Sequence, residues 1–436
     1  ILLMAGEMII TLWDFVEEDR TRHLPATERV THTLLTLNYG VLLALLVPLL
    51  RRWADLPTAL APAYHGLWSW LCLIAGAGVI ASGLRDLAAA RRARRLVPTD
   101  PAPLAAALPG RQSILVTGGT GFIGSRLVAA LVAAGHEVTV LTRSRSRAAA
   151  LPTPLRVVTA FDQIPSDACI DAIVNLAGEP ISDGLWTARK RRRILDSRQQ
   201  VTRDVVHLIT RLDQVPEVLV SGSAIGWYGL RGDEALDETA DGNPCFSRTV
   251  CRQWEEAAAT AAIRGVRIVL LRTGLVLGAE GGMLSRMLAP FEFGLGGPFG
   301  EGRHWMSWIH RDDLVRLIVH AIATPSLSGP VNGTAPLPVR NAEFAAALGE
   351  ALSRPAVLRV PARPLRLGLG AFAEELLLAG QRVVPQAALD SGFLFAYPRI
   401  EEALRVIVGR TPAVKRPPVL ARSREATEAR VSSRWV

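Results

Sequence analysis

Residues 113–124 read Ser-Ile-Leu-Val-Thr-Gly-Gly-Thr-Gly-Phe-Ile-Gly, a short apolar strand running directly into glycines spaced three apart. That order predicts a strand, a tight turn and a helix built to hold a dinucleotide pyrophosphate. Gly118 permits the turn, and Gly121 lets the backbone approach phosphate with no Cβ between them. Gly124 lets the following helix (Phe122 to about Ala134) pack closely on the strand, its first N–H groups aimed at the anion. Thr120, Phe122 and Ile123 fill the turn and belong to the same binding set. A glycine triplet alone is a weak signal, since it also suits a structural turn. Here a strand precedes it, an amphipathic helix follows, and a second strand arrives at Glu137–Thr142.

The end of that second strand selects the cofactor. A carboxylate there accepts hydrogen bonds from a ribose 2′-hydroxyl, whereas an arginine suits a 2′-phosphate. The chain reads Thr142-Arg143-Ser144-Arg145-Ser146-Arg147 and has no acid at this point. The reading therefore favours NADP(H) over NAD(H), with Arg143 as the contact through a charge-assisted bond. Arg145 and Arg147 read as solvated loop charges.

Composition sets the bounds. The length of 436 residues suits more than one structural unit, and 49% hydrophobic residues provide ample core. Only Lys190 and Lys415 are lysines; the net charge of +9 comes from arginine, gathered at 91–95, 189–193 and beyond 410. No aromatic residues interleave these runs as nucleic-acid binding would require, so no nucleic-acid partner is expected. The run at 189–193 reads as the wet face of a helix. Cys72, Cys169, Cys245 and Cys251 show neither metal-ligand spacing nor a disulfide rhythm, as suits a reducing compartment. The chain opens at Ile1, which suggests a piece of a longer protein.

Two apolar stretches, Thr33–Leu50 and Leu67–Leu84, precede the glycine turn. Each is about 18 residues with no interior charge, near the ~17–25 needed to cross a bilayer as a helix. Trp53, Trp68 and Trp70 lie near the ends, where indoles favour the interface. The expectation is a membrane hairpin over 33–97, embedded through residues 33–84. A buried helical hairpin is the plainer alternative. Arg51 and Arg52 lie between the spans, whereas Arg85, Arg91, Arg92, Arg94 and Arg95 follow the second. The heavier side is expected in the cytoplasm, which places the dinucleotide domain there, on an inner or cytoplasmic membrane. Residues 1–32 read as an amphipathic segment; Glu28 and His32 share a helical face, but no metal is assigned. A Pro-rich linker covers 98–112.

After Gly124 short apolar strands alternate with helices. The strands expected are Leu155–Thr159, Ala172–Leu176, Val218–Ser221 and Ile268–Leu271; the helices include Thr187–Leu212 and Val250–Arg264. This is α/β: a doubly wound parallel sheet of Rossmann type over 113–274, with its site at the strand C-terminal ends. Beyond Gly274 the rhythm breaks into Gly/Pro-rich loops and shorter helices, read as a small substrate lobe over 275–408. Residues 409–436 read as a disordered basic tail.

At this point a resemblance emerges. The glycine turn, Asn175-Leu176-Ala177-Gly178, Ser221-Gly222-Ser223-Ala224 with Tyr228-Gly229, and Leu271-Arg272-Thr273-Gly274 resemble the extended short-chain dehydrogenase/reductases. Gly178-Glu179-Pro180-Ile181, Trp254-Glu255, Gly294–Pro298 and the stretches Arg359–Pro361, Gly380–Arg382 and Glu401–Leu404 are similar to its sugar-nucleotide-epimerase-like branch. Some members of that branch carry a cell-division-inhibitor label. The resemblance spans roughly Ser113 to Val408. It implies bound NADP(H), a nicotinamide lying past Asn175, Leu176, Ala177 and Gly178, and Ser223 in the place of the catalytic serine. In that family a tyrosine moves the proton, its pKa lowered by a lysine four residues later.

This chain has no Tyr-x-x-x-Lys: position 186 is Trp and position 411 is Thr. The corresponding helix reads Cys245-Phe246-Ser247-Arg248-Thr249-Val250-Cys251, so Phe or Ser replaces the tyrosine and Val or Cys the lysine. Tyr228 keeps a phenol close to Ser223, and the two form the expected catalytic set. Cys251 titrates only if a cation lies close, and otherwise reads as a small buried residue. His310, in Trp308-Ile309-His310-Arg311-Asp312-Asp313, reads as the start of a helix. Met306 stands where sugar-nucleotide relatives place an arginine, which weakens the case for a nucleotide-sugar substrate.

Two functions remain open. One is a membrane-anchored oxidoreductase or epimerase-like enzyme acting on a carbonyl or alcohol of a small molecule. The other is a non-catalytic NADP(H)-sensing regulator or scaffold. A channel or transporter built on the spans has little support, because they carry no ionisable residue. Oligomeric state is not encoded legibly.

Overall fold

The computed structural model describes residues 9, 13, 26–56, 64–95 and 99–409. Most of the expected N-terminal amphipathic segment, and the expected tail from 410 onward, lie outside the described residues. The chain divides into two units, Ile1–Ile80 and Ala81–Val436.

Two helices precede the linker: α1 over Ala26–Ala54 and α2 over Leu67–Arg95. In α1 the window Leu37–Ala54 has a mean hydropathy of 1.2 with none of it buried, long and apolar enough to cross a membrane. The apolar part of α2, Leu67–Ala81, falls short of that length. The pair of spans expected from the sequence is thus corrected to a single helix of sufficient length among the described residues. In α2, Gly76, Gly78 and Gly83 dilute the apolar run before Arg85 and Asp86 end it.

The second unit is built on seven parallel strands. They are β1 (Ser113–Thr117), β2 (Glu137–Leu141), β3 (Arg156–Val158), β4 (Ala172–Asn175), β5 (Val218–Ala224), β6 (Arg267–Thr273) and β7 (Gly329–Gly333). Their spatial order is β7-β6-β5-β4-β1-β2-β3, so strand order reverses between β1 and β4. Successive residues of β1 serve opposite faces, as the period of two demands. Ile114 and Val116 join one cluster with Leu127 and Leu131 of α3 (Phe122–Ala133) and Leu314 and Ile318 of α7 (Arg311–Ala323). Leu115 joins the other with Val205, Leu208 and Ile209 of α4 (Ala188–Arg211). Helix α5 (Phe246–Ala259) lies beside α4 and covers β5 and β6.

A second lobe packs α6 (Gly282–Glu292), α8 (Asn341–Leu352) and a helix at Ile400–Ile407 around Leu288, Phe344, Leu348 and Leu404. The break in rhythm at Gly274 is not the end of the sheet. The chain returns to it with α7 and β7, which pairs along β6 from Gly329↔Val269 to Gly333↔Thr273. β7 reads Gly-Pro-Val-Asn-Gly, with a single β-branched residue, so nothing in it announces a strand.

Asp313 ties these parts together. Its carboxylate is fully buried and accepts from Ala396 N (2.9 Å), Tyr397 N (2.8 Å) and Arg316 Nη1 (2.9 Å), pinning α7 to the C-terminal segment. Asp313→Ala leaves those donors without an acceptor and is expected to cost about 3–5 kcal/mol. The check is a fall in the urea midpoint with the slope of the transition unchanged.

Candidate functional site

Each glycine of the turn is required for a different steric reason. Gly118 has φ +70°, and a Cβ on it would lie 2.8 Å from both Leu176 C and Ala177 N, on the chain leaving β4. A Cβ on Gly124 would collide with Gly118 O and lie 2.8 Å from Gly119 Cα, so α3 rests directly on the turn. Gly121 is exposed, donates to Gly118 O (2.9 Å) and caps α3 with no side-chain hydrogen bond. The first N–H groups of α3, at Phe122, Ile123 and Gly124, therefore have no side-chain cap, with Thr120 just before the capping glycine. This geometry fits a pyrophosphate. Phe122 itself turns away into Gly278, Gly281 and Gly282, with the Arg311 guanidinium 5.1 Å from its ring centre.

Arg143 lies two residues beyond the end of β2 and is exposed, and Ser144 beside it pairs with Ser146 (2.8 Å). Asn175 takes a different part from its neighbours. Its side chain is fully buried, accepting from Thr117 Oγ1 (2.7 Å) and donating to Thr202 Oγ1 (2.9 Å). Thr117 in turn accepts from Ala177 N (3.3 Å). Asn175 thus fixes the ends of β1 and β4 against α4, and any contact with a ligand on this edge falls to Leu176, Ala177 and Gly178. The run at 189–193 is not wholly wet: Lys190 is buried and donates to Glu179 Oε1 (2.9 Å), holding that carboxyl below its usual range.

Ser223 stands at the C-terminal end of β5 beside Arg272 of β6. Its hydroxyl donates to Glu255 Oε1 at 2.6 Å, and Arg272 grips Glu255 with two bonds (2.9 and 3.0 Å). Arg272 also donates to Tyr228 OH (3.2 Å), and Tyr228 donates to Asn332 Oδ1 (2.8 Å). Its guanidinium lies 4.1 Å from the centre of the Trp227 ring. Tyr228 is therefore a correction to the expected catalytic pair. It is fully buried, its hydroxyl is shared between two neighbours, and burial raises its pKa. Its phenol braces Arg272 and holds no proton ready for an open cleft.

The helix register left open by the sequence is also resolved. Phe246 and Val250 pack with Trp186 and Ile194, away from the serine. Ser247 and Cys251 face Gly226, and Cys251 Sγ lies 3.4 Å from Ala224 O. Ser247 thus occupies the tyrosine position and Cys251 the lysine position. Burial pushes the Cys251 thiol up to about 12, so it stays neutral. Ser247 instead donates to Glu375 Oε2 (2.7 Å), and Glu375 also accepts from the N–H groups of Phe246 and Ser247. His310 caps α7 by accepting from Asp312 N (3.1 Å) and stacks on Tyr397, and burial lowers its pKa.

Sequence reasoning missed the joint role of Glu255 and Arg272, which lie 17 residues apart with no spacing to link them. It also missed Arg198, Asn332 and Glu375. Among the described residues no group of three or more acids, histidines and cysteines is placed to hold a metal ion.

A glycine turn at the reversal of a parallel sheet, with a serine closing β5, defines a dinucleotide-binding protein of the short-chain dehydrogenase/reductase class. Comparison with known proteins agrees. The model of the NAD dependent epimerase/dehydratase family matches residues 114–332, and a domain of unknown function matches 360–407. Epimerase family protein SDR39U1 homolog, chloroplastic, of Arabidopsis thaliana is 42% identical over 305 residues, 68% of this chain and 87% of that one. An epimerase family protein of Mycobacterium bovis is 41% identical over 293 residues, 67% of this chain and 96% of the relative. The crystal structure of human epimerase family protein SDR39U1 (isoform2) with NADPH superposes with a TM-score of 0.62 at 34% identity. It covers 69% of this chain and 100% of the human one. The chain belongs to the NAD dependent epimerase/dehydratase family.

Gly124→Ala places a methyl group against the Gly118 carbonyl. It is expected to cost about 1–3 kcal/mol and to remove dinucleotide binding, checked by thermal melting with and without NADPH.

Proposed function

We propose that this chain is a membrane-attached, NADP(H)-dependent oxidoreductase acting on a carbonyl or alcohol carbon of a small molecule. One observation carries the cofactor: a helix start at Phe122–Gly124 with no side-chain cap, together with Arg143, and no acid, beyond the end of β2. The NADPH in the human relative supports it. In this reading the start of α3 meets the pyrophosphate and Arg143 meets the 2′-phosphate. Leu176, Ala177 and Gly178 line the nicotinamide half. When bound, the nicotinamide supplies or accepts hydride. Ser223 orients the reacting oxygen. Because its hydrogen is committed to Glu255, it meets the substrate as an acceptor, a complement to a substrate hydroxyl. With Tyr228 enclosed, proton transfer passes to water.

Attachment to a membrane rests on the apolar, unburied window Leu37–Ala54. The arginines at 91–95 support a cytoplasmic side for the dinucleotide domain. The second reading, a non-catalytic NADP(H) sensor, is favoured by a specific observation: Ser247 and Cys251 replace the proton-carrying pair while the cradle is intact.

Calorimetry on residues 99–409 tests the cofactor. Arg143→Ala is expected to raise the Kd for NADPH about tenfold, the worth of one charge-assisted contact, and to leave NADH unchanged. Absence of binding of either nucleotide to the parent protein would sink both readings. A screen of carbonyl substrates for NADPH oxidation separates them: turnover lost in Ser223→Ala supports the enzyme, and binding with no turnover supports the sensor.

A further inference from the structure

Arg198 lies in α4, between the chain leaving β4 and the face of α5, and remains partly exposed. Its Nη1 donates to the carbonyl oxygens of Glu179 (2.9 Å) and Ile194 (3.0 Å). The guanidinium carbon lies 5.0 Å from the centre of the Trp254 ring. A Cβ on Gly178 would stand only 3.1 Å from that same carbon, so the charge sits directly behind the backbone of Gly178. Glu179 offers Arg198 only its carbonyl, because its carboxylate is taken by Lys190. Burial works against the guanidinium charge, and no carboxylate hydrogen bond offsets it among the described residues.

The position matters because of what α5 lacks. Its Ser247 and Cys251 bring neither phenol nor cation to the site. Arg198 is close enough to Cys251 for its charge to oppose the rise in the thiol pKa. The topology divides the two ends of a dinucleotide: Arg143 stands beyond β2, and Gly178 beyond β4, on opposite sides of the reversal in strand order. Arg198 is therefore on the nicotinamide side.

We propose that Arg198 supplies, from α4, the positive charge that the resembled family's lysine supplies from α5, and that it holds the nicotinamide half of the dinucleotide. This rests on the NADP(H) reading and deepens it. It has an electrostatic consequence: an oxidised nicotinamide ring is a cation and a reduced one is neutral. A fixed guanidinium behind Gly178 would favour the reduced form of a ring bound on this side.

The test is calorimetry with three probes, NADPH, NADP⁺ and adenosine 2′,5′-bisphosphate, on the parent protein, Arg198→Lys and Arg198→Gln. The parent is expected to bind NADPH more tightly than NADP⁺. Arg198→Gln should weaken NADPH about tenfold and narrow that preference, leaving the bisphosphate within about twofold. Arg198→Lys should keep the preference. Glutamine can still donate to a carbonyl without a charge, and lysine keeps the charge without the planar fork. If Arg198→Gln matches the parent, or if all three probes weaken in parallel, the residue is structural and the proposal is overturned. If the parent binds none of the probes, the cofactor reading itself has failed. Bisphosphate binding with an NADPH affinity indifferent to Arg198→Gln overturns this inference alone.

Discussion

The contact between the Gly118 turn and the chain leaving β4 is the constraint on which the site depends. Backbone meets backbone there, with Gly118 at φ +70° and no room for a Cβ against Leu176 and Ala177. Thr117 and Asn175 lock the same corner by hydrogen bonds and tie it to Thr202 on α4. Because β1 and β4 diverge at this point in strand order, the corner is also the crevice of the sheet. Any residue that widened it would move the phosphate cradle and the Gly178 edge apart together.

A second constraint lies one strand away. Glu255 and Arg272 form a buried, doubly hydrogen-bonded pair whose remaining capacity goes to Ser223 and Tyr228. Such a pair adds little net stability, but loss of either member strands a buried charge at a cost of about 3–5 kcal/mol. The pair fixes the serine rotamer, the end of β5 and the start of the loop beyond Tyr228 as one unit. Asn332 on β7 closes the unit by accepting from Tyr228 at its Oδ1 and donating from its backbone N–H to Glu238 Oε1. The late return of the chain to the sheet thus serves the site as well as the core.

Much of this was legible in the sequence where local chemistry decides the outcome. The glycine turn, β1 and the arginine beyond β2 each announce themselves within a few residues. β7 did not, because Gly-Pro-Val-Asn-Gly holds its place through partners on β6 rather than through propensity. Tyr228 misled for a related reason: proximity to Ser223 in the chain does not reveal that its phenol is buried and engaged by Arg272 and Asn332. Of the two N-terminal helices only the second misled on length, since freedom from interior charge over Leu67–Leu84 hid the glycines that lower its hydropathy.

Separating the residues that shape this site from those that move protons explains how it is retained without Tyr-x-x-x-Lys. The turn, the Thr117–Asn175 lock and the Glu255–Arg272 pair make no use of a phenol or lysine on α5. Replacing those two by Ser247 and Cys251 leaves all three intact. Ser247 does not leave a void either, because Glu375 from the C-terminal segment caps α5 and accepts its hydroxyl. The face of α5 has thus exchanged a proton-transfer role for an attachment of the second lobe. Charge and proton handling must then come from elements outside α5, and the half-buried Arg198 guanidinium behind Gly178 is placed to meet the first of those needs.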